Sequence, residues 1–285
     1  MYSLTDRKTI EYLCKKYDFK FKKGLGQNFL TDESVLVNVA EAADTENGGV
    51  LEIGPGFGVL TAVLAQRAKK VLAVEIDEKV MPVLSETLAG FDNIEIVNKD
   101  ILKCDVKELI EEHFGDEKIS VAANLPYYIT TPIIMKLLED QLPLKNIVVM
   151  VQKEVAERMC AAPGGKDYGA VTVAVNYYCE PSLICNVGRH LFVPAPNVDS
   201  AVLKLKLREK PPVEVISEKT FFSVVKASFS QRRKTLFNAL KNSGNFGTAQ
   251  NIENVLAAAG IDKMIRGERL SIEEFAKIAN GFCRE

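Results

Sequence analysis

Histidine is scarce in this 285-residue chain, with only His113 and His190 present, so chemistry built on a histidine cluster is excluded. His113 follows Glu111 and Glu112 in an acidic helical stretch and is read as part of a solvated face, not as a metal ligand. Six cysteines (Cys14, Cys104, Cys160, Cys179, Cys185 and Cys283) are scattered, and no Cys-x-x-Cys pair occurs. Structural zinc and a disulfide framework need closer or more regular spacing, so reduced, mostly packing thiols and no metal are expected. No apolar run approaches the roughly 18 residues of a membrane span. The N-terminal residues 1–8 also lack the apolar stretch of a secretory signal. A cytosolic protein is the expectation. Internal repeats and low-complexity tracts are absent as well.

What the chain does have is an ordinary globular composition, 47% hydrophobic and 26% charged, with length for about two domains. Its net charge of −2 hides an asymmetry. Residues 1–31 carry 7 basic and 3 acidic side chains, and residues 211–285 carry 11 and 8, which leaves −9 for the middle. Basic ends around an acidic centre suit nucleic acid gripped by the flanks, although drift in solvated charge would look the same.

From Val50 to about Arg208, short apolar runs alternate with helical patterns. Strands are predicted at Val50–Ile53, Val71–Ile76, Ile94–Val97, Ile119–Ala123, Ile147–Val151, Val171–Tyr178 and Ala201–Leu207. The first five read as continuous apolar runs, as strands buried on both faces of a parallel sheet do. Helical patterns such as Val59–Ala68 and Pro132–Leu138 lie between them, which argues for a doubly wound α/β sheet. Ala201–Leu207 alternates apolar residues with Lys204 and Lys206, as expected near an edge. Pro211-Pro212 then interrupts the pattern. Helices are predicted beyond it at Glu218–Phe229, Arg232–Leu240, Ala249–Ala259 and Ile272–Ile278. Ser271 and Glu274 form a capping-box signal, and Gly260 sits where a helix C-terminal glycine would. The expected organisation is an α/β domain over 1–210, with a helical extension at about 1–22, and a small all-α domain over 211–285.

The first strand runs into Gly54-Pro55-Gly56-Phe57-Gly58 and then a helix. Such glycines permit a sharp turn and close ligand approach, though a plain strand-to-helix turn would use them too. A dinucleotide fingerprint would place its third glycine at position 59, which is Val59. The spacing instead resembles the first motif of S-adenosylmethionine-dependent methyltransferases. Glu75 ends the second strand, where an acid can bind ribose hydroxyls, and Asp100 ends the third, where a carboxylate can accept from an adenine amine. Ligands in such sheets bind beyond the carboxyl ends of the strands, where all three features lie.

The fourth strand ends in Asn124-Leu125-Pro126-Tyr127. A strand-terminating turn is one reading. The other is chemical. The adenine amine is a poor nucleophile because its lone pair is delocalised into the ring. Two acceptors, the Asn124 side-chain oxygen and the Leu125 carbonyl, can draw that nitrogen toward tetrahedral geometry. Pro126 holds Leu125 extended, and Tyr127 offers a ring for base stacking. Catalysis would then rest on alignment and electrostatics, without a covalent intermediate. The tetrapeptide resembles the Asn/Asp/Ser-Pro-Pro-Tyr/Phe signature of amino methyltransferases.

Taken with Lys23–Leu30, Val151–Ala156, Phe192–Val202 and Ser230–Leu236, these features resemble the ribosomal RNA adenine dimethyltransferases, specifically the small-subunit type, over nearly the whole length. The resemblance implies a Rossmann-like class I methyltransferase fold and S-adenosylmethionine as methyl donor. It implies two adjacent adenines near the 3′ end of small-subunit ribosomal RNA as substrate, and a role in ribosome biogenesis. It assigns Gln27, Asn28 and Leu30, with Gly54, Gly56, Glu75, Asp100 and Asn124, to the cofactor. Phe192 is implied to sandwich the target base opposite Tyr127. Lys22 and Lys23, with Arg232, Arg233 and Lys234 at the start of a C-terminal helix, are expected to meet RNA phosphates; a solvated helix face is the alternative. A monomer is expected, because RNA must reach a deep site.

Two rivals stay open. The large-subunit adenine dimethyltransferases of macrolide resistance share the glycine loop and Gln-Asn-Phe; Leu125, Val198–Val202 and the helical tail favour the small-subunit type. A non-catalytic assembly or transcription factor on the same fold is the second, and the presence of Glu75, Asp100 and Asn124 argues against it.

Overall fold

A computed structural model describes residues 3–46 and 48–283, the side chain of Lys23 excepted. The chain divides into two compact units, Met1–Ala156 with Pro181–Leu207, and Glu157–Glu180 with Arg208–Glu285.

The first unit opens with helix α1 (Arg7–Lys16), capped by the Asp6 carboxylate and seated through the buried Ile10 and Leu13. A short strand β1 (Phe29–Leu30) and helix α2 (Glu33–Ala42) precede the sheet. Its elements then run β2 (Gly49–Ile53), α3 (Val59–Ala65), β3 (Lys70–Glu75), α4 (Met81–Thr87), β4 (Ile94–Asn98) and α5 (Val106–Phe114). They continue with β5 (Ile119–Asn124), α6 (Thr130–Glu139), β6 (Leu144–Gln152) and α7 (Lys153–Met159). Strands β7 (Cys179–Val187), β8 (Phe192–Val193) and β9 (Ser200–Leu207) follow. Seven strands form one sheet in the order β4-β3-β2-β5-β6-β9-β7, and β1 pairs with β8 apart from it.

The five strands from β4 to β6 are parallel, and β9 runs antiparallel to β6. Every residue of β2 is buried, as a strand covered on both faces must be. The strand order reverses between β2 and β5, the topological switch point where such sheets open a crevice. Register aligns Ile53 with both Val74 and Ala123, so β2, β3 and β5 end together at that crevice. Near one end of the sheet, β9 lies one strand in from the edge.

The second unit is helical: α8 (Ala170–Tyr178), α9 (Glu218–Ser230), α10 (Leu236–Ser243), α11 (Ala249–Ala258) and α12 (Ile272–Cys283). They share a core around Phe221, Leu240, Leu256 and Phe275. The expected capping box forms, with Ser271 N donating to Glu274 Oε2 (2.8 Å) and Glu274 N to Ser271 Oγ (3.3 Å). Gly260 takes φ +71° just past α11.

Three expectations are corrected. Val171–Tyr178 is helix, not strand. Its valines at alternate positions mimic a strand, but Val173 and Tyr177 also stand one helical turn apart, and both enter the core of the second unit. The Thr172 hydroxyl accepts from Gly169 N at 3.1 Å and donates to the Arg158 carbonyl at 2.7 Å, which starts the helix. This unit therefore draws in Glu157–Glu180 and is more than the C-terminal tail. Residues 231–234 form a turn, because Thr235 caps α10 and so sets its start beyond the basic cluster. Finally, the His113 side chain is only 9% exposed, its Nδ1 3.0 Å from Glu95, which also pairs with Lys70 at 3.0 Å. The ring closes over a charged neighbour and is no part of a solvated face.

Candidate active site

The glycine loop shapes the floor of the crevice. Gly54, Gly56 and Gly58 all adopt positive φ (71°, 57° and 83°), backbone that L side chains rarely take. A Cβ on Gly56 would lie 2.6 Å from the ring of Phe29, which stacks on Phe57 with centroids 4.3 Å apart. Gly56 thus admits the N-terminal segment. At Gly54 an added Cβ would meet nothing within 4 Å, so the loop there faces open space in the cavity.

Three acids line that cavity. Glu75 accepts from Gly56 N (3.3 Å) and Asp77 N (2.8 Å), and each of its oxygens keeps a second lone pair. Burial pushes its pKa up, against the pull of those amides. Asp100 accepts from Leu102 N at 3.1 Å and lies 3.5 Å from Lys103 Nζ. The third acid is Glu52, which the sequence pattern alone did not single out. It is 1% exposed, and its Oε2 and the Thr61 hydroxyl both lack a hydrogen-bond partner of good geometry among the described residues. Burial pushes its pKa up to about 8, with the Glu75 charge adding and the nearby Thr61 opposing. A signal was available: Glu52 interrupts the apolar run Val50–Ile53 two residues before the glycine loop.

Asn124 ends β5 opposite the glycine loop. Its Nδ2 donates to the Asn28 carbonyl at 3.0 Å, and Asn28 Nδ2 in turn donates to the Gly26 carbonyl at 3.0 Å. This fixes the orientation of the Asn124 amide and leaves Oδ1 as its acceptor. Leu125 is anchored by its buried side chain and by N–H donation to the Met150 carbonyl (3.3 Å). The Pro126 carbonyl accepts from Ile129 N (3.2 Å) and the Thr130 hydroxyl (3.1 Å), closing the turn that carries the loop into α6. Tyr127 is half-buried with its hydroxyl 2.7 Å from Ser200 Oγ, and burial pushes its pKa up. The cavity lining includes Tyr128 but not Tyr127.

Gln27, Asn28 and Leu30 all line the cavity. Lys22 serves differently from expectation. Its ammonium sits 2.8 Å from Asp77, which also accepts from Gln27 Nε2 at 3.0 Å, and Lys22 N donates to Gln27 Oε1 at 3.0 Å. Burial works to raise the Asp77 pKa, but bonds from Lys22 and Gln27 hold it below the ordinary value. Lys22 is therefore a clasp for the N-terminal segment before it is a phosphate contact. Lys23 has its side chain outside the described residues.

Phe192 departs furthest from expectation. It is 1% exposed, paired with Leu30 across β1 and β8, and lies in a core with Leu36, Val39 and Val202. No face of this ring is open to a base. In the second unit, Arg232, Arg233 and Lys234 are all exposed, and the Arg232 guanidinium donates to the Lys166 carbonyl.

A parallel sheet with one reversed strand near its end, a glycine loop at the switch point and an acid closing the next strand together define a class I methyltransferase fold. The chain belongs to the ribosomal RNA adenine dimethylase family, whose sequence model matches residues 18–282. It is 54% identical over 272 residues to the ribosomal RNA small subunit methyltransferase A of Bacillus pumilus, covering 94% of this chain and 93% of the relative. The protein of the same name from Anoxybacillus flavithermus is 54% identical over 279 residues, with 96% and 94% covered. Among solved structures, a dimethyladenosine transferase from Plasmodium falciparum superposes with TM-score 0.75 at 29% identity, over 88% of this chain and 95% of that one. The 23S rRNA methyltransferase ErmE superposes with TM-score 0.68 at 28% identity, over 90% and 99%.

Proposed function

We propose that this protein transfers methyl groups from S-adenosylmethionine to the N6 amines of two adjacent adenines near the 3′ end of small-subunit ribosomal RNA. It does so as a monomer, in the cytoplasm, during ribosome biogenesis. The observation that carries the reading is the orientation of Asn124, fixed by Asn28 within a cavity that Gly54, Glu75 and Asp100 also line.

The cavity fits the cofactor by the chemistry of its donors. The open backbone at Gly54 accommodates a close ligand. Glu75 accepts from ribose hydroxyls, Asp100 from the adenine amine, and Gln27, Asn28, Leu30 and Gly56 enclose the rest. The Glu52 oxygen that lacks a partner is matched to an ammonium group, which would favour the ionised carboxylate and supply its missing hydrogen bond. S-adenosylmethionine supplies a methyl group activated by a sulfonium.

Asn124 Oδ1 and the Leu125 carbonyl accept the two hydrogens of the target amine and direct its lone pair. Pro126 keeps the Leu125 carbonyl extended, and the Tyr127 ring, pinned by Ser200, stacks the base. These groups are held before substrate arrives, so little reorganisation is spent at the moment of transfer. The methylated amine loses its proton readily, which removes the need for a strong base. Phe192 has no part in this scheme. Arg232, Arg233 and Lys234 present exposed charge suited to RNA phosphates.

The large-subunit alternative shares the fold, as the superposition on ErmE makes plain. The higher identity to relatives named for the small subunit favours small-subunit RNA as the substrate. Supplying each unmethylated subunit with labelled cofactor decides the matter: label in small-subunit dimethyladenosine is expected, and label in the large subunit alone refutes it. Asn124→Ala should bind small subunits yet lose methylation; full activity in that variant would remove Asn124 from its role.

A further inference from the structure

Two aromatic rings in a row follow the catalytic Asn-Leu-Pro, and the structure treats them oppositely. Tyr127 is tied back through its hydroxyl to Ser200. Tyr128 is 57% exposed and lines the cavity beside Asn124, Pro126 and Ile129. A Cβ placed on Gly26, which itself has φ +58°, would lie 3.7 Å from Tyr128 Cδ1 and 3.1 Å from Pro126 Cβ. A side chain at Gly26 would thus crowd Pro126 while meeting the Tyr128 ring only at ordinary contact distance, so Gly26 lies beside both at the mouth.

An apolar ring left in water at the mouth of the cavity, beside Asn124 and Pro126, is suited to receiving another flat ring. Ribosomal RNA offers such rings, and single-stranded bases stack on exposed tyrosines regardless of sequence. We propose that Tyr128 is a base-stacking residue for the nucleotide adjoining the one at Asn124. On the reading that two adjacent adenines are substrates, on which this inference rests, the ring holds the second adenine at the mouth while the first reacts. The division of labour follows from exposure: the pinned Tyr127 serves the reacting base, and the open Tyr128 serves its neighbour.

The test compares wild-type protein with Tyr128→Ala, Tyr128→Phe and Tyr128→Leu. Methyl transfer to unmethylated small ribosomal subunits gives kcat and KM, and calorimetry with S-adenosylhomocysteine gives the cofactor-site Kd. Loss of one base–aromatic stack should lower kcat/KM for subunits about ten-fold in Tyr128→Ala. The Phe variant should restore it, the Leu variant should not, and the Kd should stay within about two-fold throughout. Wild-type kcat/KM in Tyr128→Ala, rescue by Leu equal to that by Phe, or a Kd weakened in parallel with kcat/KM would each overturn the assignment. Absence of transfer by the wild-type protein itself would overturn both this inference and the function it rests on.

Discussion

Glu52→Gln preserves the shape of a side chain buried in the sheet while removing its charge, so it isolates what that charge costs. Burial raises the carboxyl from its ordinary 4.5 to about 8. Each pKa unit corresponds to 1.36 kcal/mol, so the whole displacement represents about 5 kcal/mol, an order-of-magnitude figure. The sign follows from proton counting. Below pH 4.5 both the folded and unfolded chains hold the proton and nothing is lost. Between there and about 8 the unfolded chain ionises while the folded one keeps its proton, so stability falls as pH rises. Above that range the full cost applies, a large share of the 5–15 kcal/mol typical of a whole domain.

Glutamine titrates in neither state, so the variant should lack this slope. Urea unfolding of both proteins at about pH 5.5 and pH 8.5 reads it directly. The stability of the variant relative to wild type should rise by about 3 kcal/mol between the two pH values. In the samples at about pH 8.5, above the point where the folded carboxyl ionises, calorimetry should show S-adenosylhomocysteine binding weakened about ten-fold or more, the loss of one charge-assisted hydrogen bond. A stability gap that is the same at both pH values would refute the reasoning, because it would mean that Glu52 is ionised and solvated in the folded chain. Unchanged ligand affinity would separately remove Glu52 from the cofactor site.

Gly56→Ala places a Cβ 2.6 Å from the Phe29 ring at a φ of +57°, and should cost about 1–3 kcal/mol by overpacking plus strain, read as a lowered thermal midpoint. Asp77→Asn removes the charge that clasps Lys22 and weakens the hold on Gln27. Cofactor affinity should fall several-fold while the urea midpoint moves little, and unchanged affinity would count against a clasp. Phe192→Ala should lose about 3–5 kcal/mol, as buried aromatics do; a loss under about 1 kcal/mol in urea unfolding would mean that the ring is not part of the core.

Much of the sheet was legible because parallel strands covered on both faces are largely apolar, and β3, β5 and β6 announce themselves in this way, whereas the edge strand β4 is only partly buried and carries Glu95. The glycine loop, Glu75, Asp100 and Asn124 were legible for a related reason. Strand ends at a switch point are where an α/β sheet can place chemistry, so a residue's position along its strand already carries functional meaning. Local pattern failed where tertiary packing decides. Val171–Tyr178 satisfies the spacing of a strand and of a helix, and only the aromatic core formed with Phe221 selects the helix. Only the family resemblance makes Phe192 a stacking ring, and the sequence pattern does not single out Tyr128, yet pairing across β1 and β8 buries the first while the second stays in water. Lys22 looked like free charge because its partner, Asp77, lies 55 residues away in the chain.

The N-terminal segment joins the two halves of the site through consecutive residues. Gln27 is bonded to Asp77, whose own amide donates to Glu75. The next residue, Asn28, accepts from Asn124 at the end of β5. These contacts share one backbone, so displacement of Gln27 displaces Asn28, and the Asn124 amide then loses the bond that sets which of its atoms is the acceptor. Orientation of the Asn124 amide is therefore linked to occupancy of the Asp77 clasp, although Asp77 touches neither Asn124 nor Asn28 by any hydrogen bond among the described residues. An Asp77→Asn protein saturated with cofactor should consequently still show reduced kcat. A variant whose defect vanished entirely at saturating cofactor would confine the clasp to binding and sever the link.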